Sequence, residues 1–327
     1  MKTDITIYYL SFSFAPLFIM KVYHDINDLP DFTNAVITIG TFDGVHNGHR
    51  QIIEQLKQEA ANINGSSVVI TFYPHPRQIV GNPSRQIFIL NTLNEKIKLL
   101  SEAGVQNLII VPFTQTFAEM TAASYISDFL VKCFHPHTII IGYDHKFGHN
   151  RIGNFELLER MSSVFNFRVK EIPEQLLHDI TISSTKIRNK LSEGDIATAN
   201  ELLGYTYFFS GLVVHGNQLG RTIGFPTANI NLDDAQKLIP GNGVYAVDVI
   251  IDHSKKLLKG MMNIGVRPTL NQTQRVIEVN IFDFDELIYG KEMTVMLKIK
   301  MRDEIKFEGI DALKEQLNKD KIMGMTL

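Results

Sequence analysis

Short apolar runs alternate with helical patterns between Ala35 and Pro173, and this alternation limits the possible folds more than any other feature of the chain. The runs are β-branched and continuous, as in strands that are covered on both faces; they are AVITIGT, SVVITFY, NLIIVPF, TIIIGYD and FRVKEIP. Amphipathic helices are indicated between them, for example where Leu93, Ile97 and Leu100 share one face. The pattern predicts an open, parallel, doubly wound sheet of Rossmann-like type. Such sheets bind ligands beyond the carboxyl ends of their strands.

The sequence after about Gly204 shows a different pattern of predicted secondary structure. Closely spaced strand patterns follow one another, with Gly, Pro, Asn and Asp turns between them; they are YFFSGLVV, GVYAVDVII, KKLLKGMMNI, RVIEVNIFDF and EMTVMLKIK. Several alternate apolar with polar residues, which is typical of half-buried antiparallel strands. We expect a small antiparallel β-barrel here. A terminal helix follows, and Ile310, Leu313 and Leu317 form the face that we expect to pack on the barrel.

The chain has 327 residues, more than one compact core usually holds, so two domains are expected. The apolar run from Ile5 to Met20 is preceded by only one basic residue, Lys2, has no clear cleavage site and is short for a membrane span. The predicted divisions are an extension outside the fold at 1–19, a nucleotide-binding domain at 20–190, a polar helical linker or hinge at 191–204 and a barrel domain at 205–327.

The net charge and the cysteine content limit the kinds of ligand and metal site that the protein can have. The formal net charge of −3 gives no basic surface for nucleic acid, so anionic ligands must be held by local residues and small molecules are favoured over polymers. Cys133 is the single cysteine, which excludes an internal disulfide and a multi-cysteine zinc site. We expect Cys133 to be buried on a helix and the protein to be cytoplasmic, without a membrane partner. The sequence gives no indication of oligomeric state.

The first of the predicted strands leads directly into GTFDGVHNGH, residues 40–49, and then into an amphipathic helix. Gly40 and Gly48 let the backbone approach a phosphate closely, and the helix N-terminus offers unpaired N–H groups. His46 and His49 flank this position and can donate hydrogen bonds to a phosphoryl group as its charge increases. Two other interpretations remain open, namely surface histidines in a turn or half of a metal site with HxxH spacing.

Three later segments are expected at the same sheet edge. Residues 182–188, ISSTKIR, place hydroxyls and Arg188 where a last strand should turn into a helix, which suits β- and γ-phosphates. A serine-rich helix cap would account for Ser183 and Ser184 but not for Arg188. The other two segments, TFYPHP at 71–76 and GYDHKFG at 142–148, end the second and fourth predicted strands.

His-x-Gly-His with the distant Ile-Ser-Ser-Thr-x-x-Arg resembles the nucleotidyltransferase superfamily. With TFYPHP and Gly-x-Asp-x-x-Phe-Gly, the segment from about 36 to 188 is similar to the FMN adenylyltransferase domain of bacterial bifunctional riboflavin kinase/FAD synthetases. The resemblance implies that FMN and ATP are joined to give FAD, with His46, His49 and Arg188 as catalytic residues. The implied ATP-binding residues are Gly40, Phe42, Asp43, Gly48, Ser183, Ser184 and Thr185, and the implied flavin-binding residues are Phe72, Pro74, His75, Pro76, Asp144 and Phe147. GYDHKFG departs from the more common GEDFRFG of that family.

The chemistry of this half explains why no general base is evident. An FMN phosphate is already an ionised nucleophile near neutral pH, so its attack on the ATP α-phosphorus needs only positioning and charge neutralisation. The chain has neither a G-x-x-x-x-G-K-[ST] loop nor a G-x-S-x-G elbow, and neither is needed.

The segment GNQLGRTIGFPTAN, residues 216–229, is the most unusual part of the second half. Its glycines allow a loop to wrap around phosphates, while Thr227 and Asn229 alternate on one face of an extended segment as oxygen donors for Mg²⁺. A glycine-rich barrel loop with a structural Thr and Asn is the alternative. Glu278 lies inside an apolar strand pattern, and we assign it as the general base because the 5′-hydroxyl of riboflavin must lose a proton to attack the ATP γ-phosphate.

Together with GVY at 243–245, NIGVRPT at 263–269 and YG at 289–290, these motifs resemble riboflavin kinases from about residue 207 to 320. The resemblance implies Mg²⁺ at Thr227 and Asn229 and Glu278 as the base. It further implies ATP binding by Gly216, Gly220, Arg221, Gly224 and Pro226, and flavin binding by Tyr245, Arg302 and Phe307. Asn280 stands where that family commonly has histidine.

The expected substrates are therefore riboflavin, FMN and ATP. Two alternatives remain open at this point. One is an enzyme with a different adenylyl- or cytidylyltransferase half and a barrel that only binds flavin. The other is a non-enzymatic flavin-binding regulatory module that retains these loops.

Overall fold

The computed structural model describes residues 19–81, 87–173, 182–216, 219–232, 234–268 and 273–327. The chain forms two compact units, which divide between Ser183 and Ser184. Residues 1–18 of the expected N-terminal extension lie outside the described residues, as do Asn217 and Gln218 of the glycine-rich segment and Thr269 of the NIGVRPT motif.

The first unit contains a six-stranded sheet, and every pairing in it is parallel. The strands are β1 (Lys21–Tyr23), β2 (Val36–Ile39), β3 (Ser67–Tyr73), β4 (Asn107–Pro112), β5 (Thr138–Gly142) and β6 (Arg168–Ile172). Their order is β1-β4-β3-β2-β5-β6. After β2 the chain adds β3 and β4 on one side of it, and then reverses direction across the sheet to add β5 and β6 on the other side. A reversal of this kind creates a crevice at the carboxyl ends of the central strands, where ligands bind. The predicted Rossmann-like sheet is confirmed.

Helices cover the sheet of the first unit. They are α1 (Asn47–Asn62), α2 (Pro76–Val80), α3 (Leu93–Glu102), α4 (Gln115–Ala118), α5 (Ala122–Ser124), α6 (Lys132–Phe134) and α7 (Phe155–Phe165), with a π-helical stretch, Tyr125–Val131, between α5 and α6. Helix α3 begins with a capping box, in which Thr92 Oγ1 accepts from Glu95 N and Glu95 Oε2 accepts from Thr92 N. Ile97 and Leu100 on its predicted apolar face are buried. Cys133 lies on α6 as expected but is only partly buried, and burial raises the pKa of its thiol.

The second unit contains a closed barrel of six strands, in which every pairing is antiparallel. The strands are β7 (Phe208–Val214), β8 (Ala228–Leu232), β9 (Gly243–Ile251), β10 (Leu258–Pro268), β11 (Thr273–Ile281) and β12 (Glu292–Arg302). Their order is β10-β11-β8-β7-β12-β9, and β9 pairs with β10 to complete the ring. Alternating side chains fill the interior, including Val247, Val249 and Val295. The predicted small antiparallel barrel is confirmed.

The second unit also contains the helices α8 (Ser184–Glu193), α9 (Ile196–Leu203), α10 (Leu219–Thr222) and α11 (Ile310–Thr326). The segment expected to be a polar linker or hinge is helical, but α9 buries Ile196, Ala199 and Leu202. Asn200 Nδ2 also donates to the backbone oxygen of Leu297 in β12, at 2.9 Å. The expectation of a polar hinge is therefore wrong for α9, which packs on the barrel of its own unit. Leu202 and Ala199 follow the three- to four-residue spacing of a packed helix face.

The terminal helix α11 packs on the barrel as predicted, with Leu317 and the partly buried Leu313 of the predicted face but without Ile310. Leu317 lies against a cluster of Phe225, Met261 and Phe282, whereas Ile310 at the start of the helix is 58% exposed. Asp320 is buried, and its carboxylate is held by Arg302 of β12, whose Nη2 lies 2.7 Å from Asp320 Oδ2. The prediction for Ile310 is wrong, because a buried ion pair one turn beyond Leu317 fixes which side of the helix faces the barrel.

This ion pair supports a prediction about stability. Asp320→Ala would leave the guanidinium of Arg302 without its carboxylate partner in a largely buried position, which costs about 3–5 kcal/mol in typical proteins. We expect the second unit to unfold at a markedly lower denaturant concentration, as followed by far-UV circular dichroism. Glu315→Ala on the exposed face of the same helix is the control and should leave the unfolding midpoint unchanged. Equal midpoints for the two variants would contradict the structural role of the pair.

Candidate active sites

The segment from Gly40 to His49 leaves β2 at the carboxyl edge of the sheet and enters α1. Its backbone is held in unusual conformations, with φ of 46° at Phe42 and 36° at Val45, neither of which is a glycine. Both side chains are buried, Phe42 at 2% exposure and Val45 at 0%, so apolar packing maintains this backbone. Strained residues of this kind are concentrated at functional sites because the surrounding structure must hold them in place.

The two predicted histidines lie face to face at the N-terminus of α1. His46 is the N-cap, and its Nδ1 accepts a hydrogen bond from the backbone N–H of His49 at 3.4 Å. Their rings stack with centroids 3.7 Å apart, and His46 is only 6% exposed. A Cβ at Gly48 would lie 3.3 Å from the His46 ring, so a small residue is favoured there. The structure brings His46, His49 and the helix N-terminus together as predicted.

His49 is uncharged in this environment. Burial lowers its pKa well below the usual histidine value, and the nearby charges of His46 and Lys96 lower it further. Its Nδ1 is buried and has no hydrogen-bond partner among the described residues. The site therefore contains a neutral imidazole at the N-terminus of α1.

Asp43 ties the loop to the start of α3. Its carboxylate is 1% exposed and accepts from the backbone N–H of Leu90 at 2.9 Å, with Asn91 N at 3.4 Å. The sequence analysis assigned Asp43 to ATP binding, and the structure shows this second, local role for it. The ammonium group of Lys96, at 5% exposure, lies 3.5 Å from Thr71 Oγ1.

Sequence reasoning missed Lys96, although a signal for it exists. Lys96 lies three residues after Leu93 and one before Ile97, inside the apolar face that predicts the helix. A lysine on such a face is either directed outward at its edge or held by a buried partner. The buried position is the one observed.

The TFYPHP segment follows β3 at the same edge of the sheet. Phe72 is 7% exposed and packs in the core against Phe113 and Phe117, with ring centroids 5.5 and 5.6 Å away. The Tyr73–Pro74 peptide bond is cis, and His75 then caps the short helix α2, which begins at Pro76. His75 Nδ1 accepts from the backbone N–H of Arg77 at 3.2 Å. These residues lie at the predicted edge, while their flavin contacts stay a prediction.

The GYDHKFG segment follows β5. Phe147 is 6% exposed and stacks on Tyr125 with ring centroids 5.0 Å apart, whereas Asp144 is exposed. Burial lowers the pKa of His145 to about 4, although the charge of Asp144 acts in the opposite direction. A Cβ at Gly148 would approach the backbone of Ala122 within 2.6 Å, which excludes any larger residue there. His145 is thus a neutral ring beside Phe147.

The ISSTKIR segment forms the start of α8, as predicted. Ser184 is the first residue of this helix, while Ile187 is buried on its inner face. Ser183 ends the first unit, and Ser184, Thr185 and Arg188 belong to the second. Their action with His46 and His49 on one ATP stays a prediction.

In the barrel, the predicted base and the predicted metal ligand are cross-strand neighbours. Glu278 of β11 stands opposite Asn229 of β8 in the strand register, and opposite Asn263 of β10 on its other side. Directly opposed residues have Cβ atoms about 4.5–5.5 Å apart. Gly216 lies against the Asn229 side chain so closely that a Cβ there would be 2.0 Å from Nδ2. The structure therefore brings together Glu278, Asn229 and Gly216 as the sequence predicted.

The remaining loop residues line a cavity beside these strands. It has a volume of about 200 Å³, and its walls include Arg221, Pro226 and Thr227 from the loop and Asp285 and Tyr289 from the segment after β11. Gly220 approaches the backbone oxygen of Phe225 too closely for a side chain, and Gly224 has a φ of +84°. Both glycines are therefore required by the fold of the loop, whatever they bind.

Tyr245, Arg302 and Phe307 have structural contacts in the barrel unit. Tyr245 is fully buried, its hydroxyl donates to the backbone oxygen of Gly241, and burial raises its pKa to about 12. Arg302 is held by Asp320, with its guanidinium carbon 5.9 Å from the centre of the Phe307 ring. A flavin contact by Tyr245 would require the residues covering it to move. The flavin role of all three stays a prediction.

Among the described residues, no group of three or more His, Cys, Asp or Glu is arranged to hold a metal ion. The candidate donors in the barrel are instead hard oxygens, namely the Thr227 hydroxyl, the Asn229 amide oxygen and the Glu278 carboxylate. Mg²⁺ is typically bound by one or two such protein oxygens together with substrate phosphates and water. The donor set therefore fits Mg²⁺ delivered with a nucleotide.

Two family models match the chain, in the order of the two units. Residues 29–186 match the model described as FAD synthetase, and residues 203–326 match the model described as riboflavin kinase. The protein class defined by the fold and the two matches is thus a flavin-nucleotide transferase with two different candidate sites. Each matched range contains one of them.

The chain belongs to the family of bifunctional riboflavin kinase/FMN adenylyltransferases. The relative with that description in Escherichia coli (strain K12) is 37% identical over 307 residues, which cover 93% of this chain and 96% of the relative. The Haemophilus influenzae relative is 42% identical over 284 residues, covering 87% and 91%. The predicted resemblance is confirmed.

A solved structure titled as a macrolide-efflux protein from Streptococcus pneumoniae has the same fold. Its TM-score is 0.83 at 31% identity, and the match covers 94% of this chain and 98% of that one. None of the helices within the described ranges has both the length and the apolar character that a membrane-crossing helix needs.

Proposed function

We propose that this protein makes both flavin cofactors: the second unit phosphorylates riboflavin to FMN with ATP, and the first unit transfers AMP from a second ATP to FMN, giving FAD and diphosphate. The carrying observation is that the two units contain different groups, each suited to one of the two reactions. Two stacked histidines, His46 and His49, lie at a helix N-terminus in the first unit, and a carboxylate lies opposite an amide oxygen in the barrel. The domain assignment from the sequence, with 20–190 and 205–327 as the two enzymes, is part of this proposal, as is a cytoplasmic location.

In adenylyl transfer, the ionised FMN phosphate attacks the α-phosphorus of ATP and diphosphate leaves. The backbone N–H groups at the start of α1 and the ring N–H of His49 hold the phosphates and stabilise the charge that increases during substitution. Ser183, Ser184, Thr185 and Arg188 hold the departing β- and γ-phosphates in this proposal. No residue needs to remove a proton, because the nucleophile is already charged.

In the kinase reaction, Glu278 accepts the proton of the riboflavin 5′-hydroxyl as the oxygen attacks the γ-phosphorus. Thr227 and Asn229 would hold Mg²⁺, which neutralises the phosphate charge when bound. The cavity beside Arg221 and Pro226 accommodates the nucleotide. The strand register supports this assignment, since it keeps Glu278 next to Asn229.

Asn280 is expected to support the metal-binding loop. It is 6% exposed, and its Nδ2 donates to the backbone oxygen of Pro226, next to Thr227, at 2.7 Å. Asn280→Ala removes this donor. If the lost hydrogen bond contributes about 1 kcal/mol to magnesium binding, the Mg²⁺ concentration that gives half-maximal FMN formation should increase roughly fivefold. A magnesium titration of the kinase reaction measures it. Asn318→Ala, on the exposed side of α11, is the control, and an unchanged magnesium requirement in Asn280→Ala would exclude the role.

A direct assay tests the proposed function. The purified chain is incubated with riboflavin, ATP and Mg²⁺, and FMN, FAD, ADP and diphosphate are separated by chromatography. We expect FMN first and FAD later. FMN without FAD, also when FMN is supplied, would remove the adenylyltransferase assignment, and intact ATP would leave only a flavin-binding protein.

A further inference from the structure

Lys96 on α3 has no part in the reaction as described so far, yet it is connected to the phosphate-binding segment. Its ammonium group lies 3.5 Å from the hydroxyl of Thr71, at 5% exposure. That hydroxyl donates to the backbone oxygen of Thr41 at 3.1 Å. Thr41 follows Gly40 in the segment from β2 to α1. One hydroxyl group of β3 therefore joins Lys96 to this segment.

The position of Lys96 is costly for stability alone. Lysine is almost never fully buried without a partner, because the ammonium loses its water. Burial lowers the pKa of Lys96 to about 8, and the negative charge of Asp43 acts in the opposite direction. An apolar side chain of similar length, such as Met, would fill the same space without this cost. A charge retained here indicates a role beyond packing.

Two groups of the site, Asp43 and His49, experience this charge. Asp43, on the same segment as Thr41, attracts the ammonium group and also binds the backbone of Leu90. His49 experiences it as repulsion, together with the charge of His46 when that ring is protonated. Among the described residues, His46 from the cap of α1 and Lys96 from α3 are the charged groups that lower the pKa of this imidazole.

We propose that Lys96 is a positioning residue of the adenylyl-transfer site, which fixes the segment from Gly40 to His49 through Thr71 and Asp43 and places a positive charge near the His49 imidazole. An uncharged imidazole has one N–H to donate to phosphate and needs no counter-ion. The inference rests on the proposed function of the first unit and extends it to a residue outside the phosphate-binding segment.

Lys96→Met tests the proposal, with Lys98→Met at an exposed position of the same helix as the control. We expect kcat for FAD formation from supplied FMN to decrease by about tenfold or more, in the range seen when preorganised groups are disturbed. The titration of the His49 ring, followed by NMR in histidine-labelled protein and assigned with His49→Gln, should move to higher pH by about half a unit or more, because a repelling charge has been removed. Lys98→Met should change neither.

Thr71→Val provides a second test that retains the ammonium group. It removes the hydroxyl between Lys96 and Thr41 at nearly constant volume, and we expect a smaller decrease in kcat with little change in the His49 titration. If Lys96→Met is unfolded by circular dichroism, this variant decides the question, and FAD formation at the wild-type rate would overturn the proposal.

A purely structural role predicts other results. If folded Lys96→Met forms FAD within about twofold of the wild-type rate, or is slow while the His49 titration is unchanged, the proposal is wrong. Absence of FAD formation by the wild-type protein would instead remove the proposed function itself, so the two failures are distinguishable.

Discussion

Glu278→Gln is expected to slow FMN formation by about 10²–10⁴-fold, the usual contribution of a positioned general base. Glutamine keeps the shape of the side chain but cannot accept the proton of the riboflavin 5′-hydroxyl. The strand register of β11 holds the new amide opposite Asn229, so the barrel should fold normally. The rate of FMN formation with saturating riboflavin and MgATP is the measurement.

The second activity of the same protein, FAD formation, serves as an internal control for the Glu278→Gln variant. FAD formation from supplied FMN takes place in the first unit without a base, and we expect it to continue at the wild-type rate. Glu292→Gln, at the start of strand β12, which does not pair with β11, is the matched control and should affect neither reaction. Equal loss of both activities in Glu278→Gln would show that the two reactions are not confined to separate units.

His49→Ala is expected to have the opposite selectivity. It removes the ring N–H that stabilises charge on the phosphates in the proposed reaction, and loss of one such donor typically reduces kcat by about 10²–10³-fold. FAD formation from FMN should decrease by this factor while FMN formation from riboflavin is maintained. The assay supplies FMN and ATP and measures diphosphate release.

The control for His49→Ala is His24→Ala, at an exposed histidine of the same unit. Circular dichroism separates a catalytic effect from unfolding, because His49 also stacks on His46 and its loss leaves a cavity. A folded His49→Ala protein with wild-type FAD formation would eliminate the phosphate-binding role of the histidine pair.

The strands that sequence reasoning identified are those with enough residues to show a period. Strand β1 was missed because Lys21–Tyr23 is three residues long and its only fully buried side chain is Val22. It is a strand because its backbone pairs with β4, a long-range contact that no local pattern reports. The same reasoning explains α9, where a moderately apolar helix seemed to be a linker until its packing partner, the barrel, was known.

The candidate sites were predictable where motif and strand end coincide. His46 and His49 lie in the segment that follows β2. Asn229 was selected by its alternation with Thr227, and Glu278 as a carboxylate inside an apolar strand pattern. The connection from Lys96 through Thr71 to Thr41 was not predictable, since it joins three elements distant in sequence. The full burial of Tyr245 and the formation of the Arg302–Asp320 ion pair also depend on how the barrel closes. The composition and the residue spacing do not predict how the barrel closes.

The two units differ in whether their sheets have edge strands with unpaired backbone groups. The parallel sheet of the first unit is open, and its edge strand β6 has the charged side chains of Arg168, Lys170 and Glu171, with Lys170 paired to Glu59 of α1. Charges on an edge discourage pairing with another chain. The ring of strands in the second unit has no edge among the described residues. Loss of α11 would therefore expose the apolar side chains of Phe225, Met261 and Phe282 but no unpaired strand edge. Self-association of a chain without α11 would then occur through contacts between apolar side chains rather than through β-sheet extension.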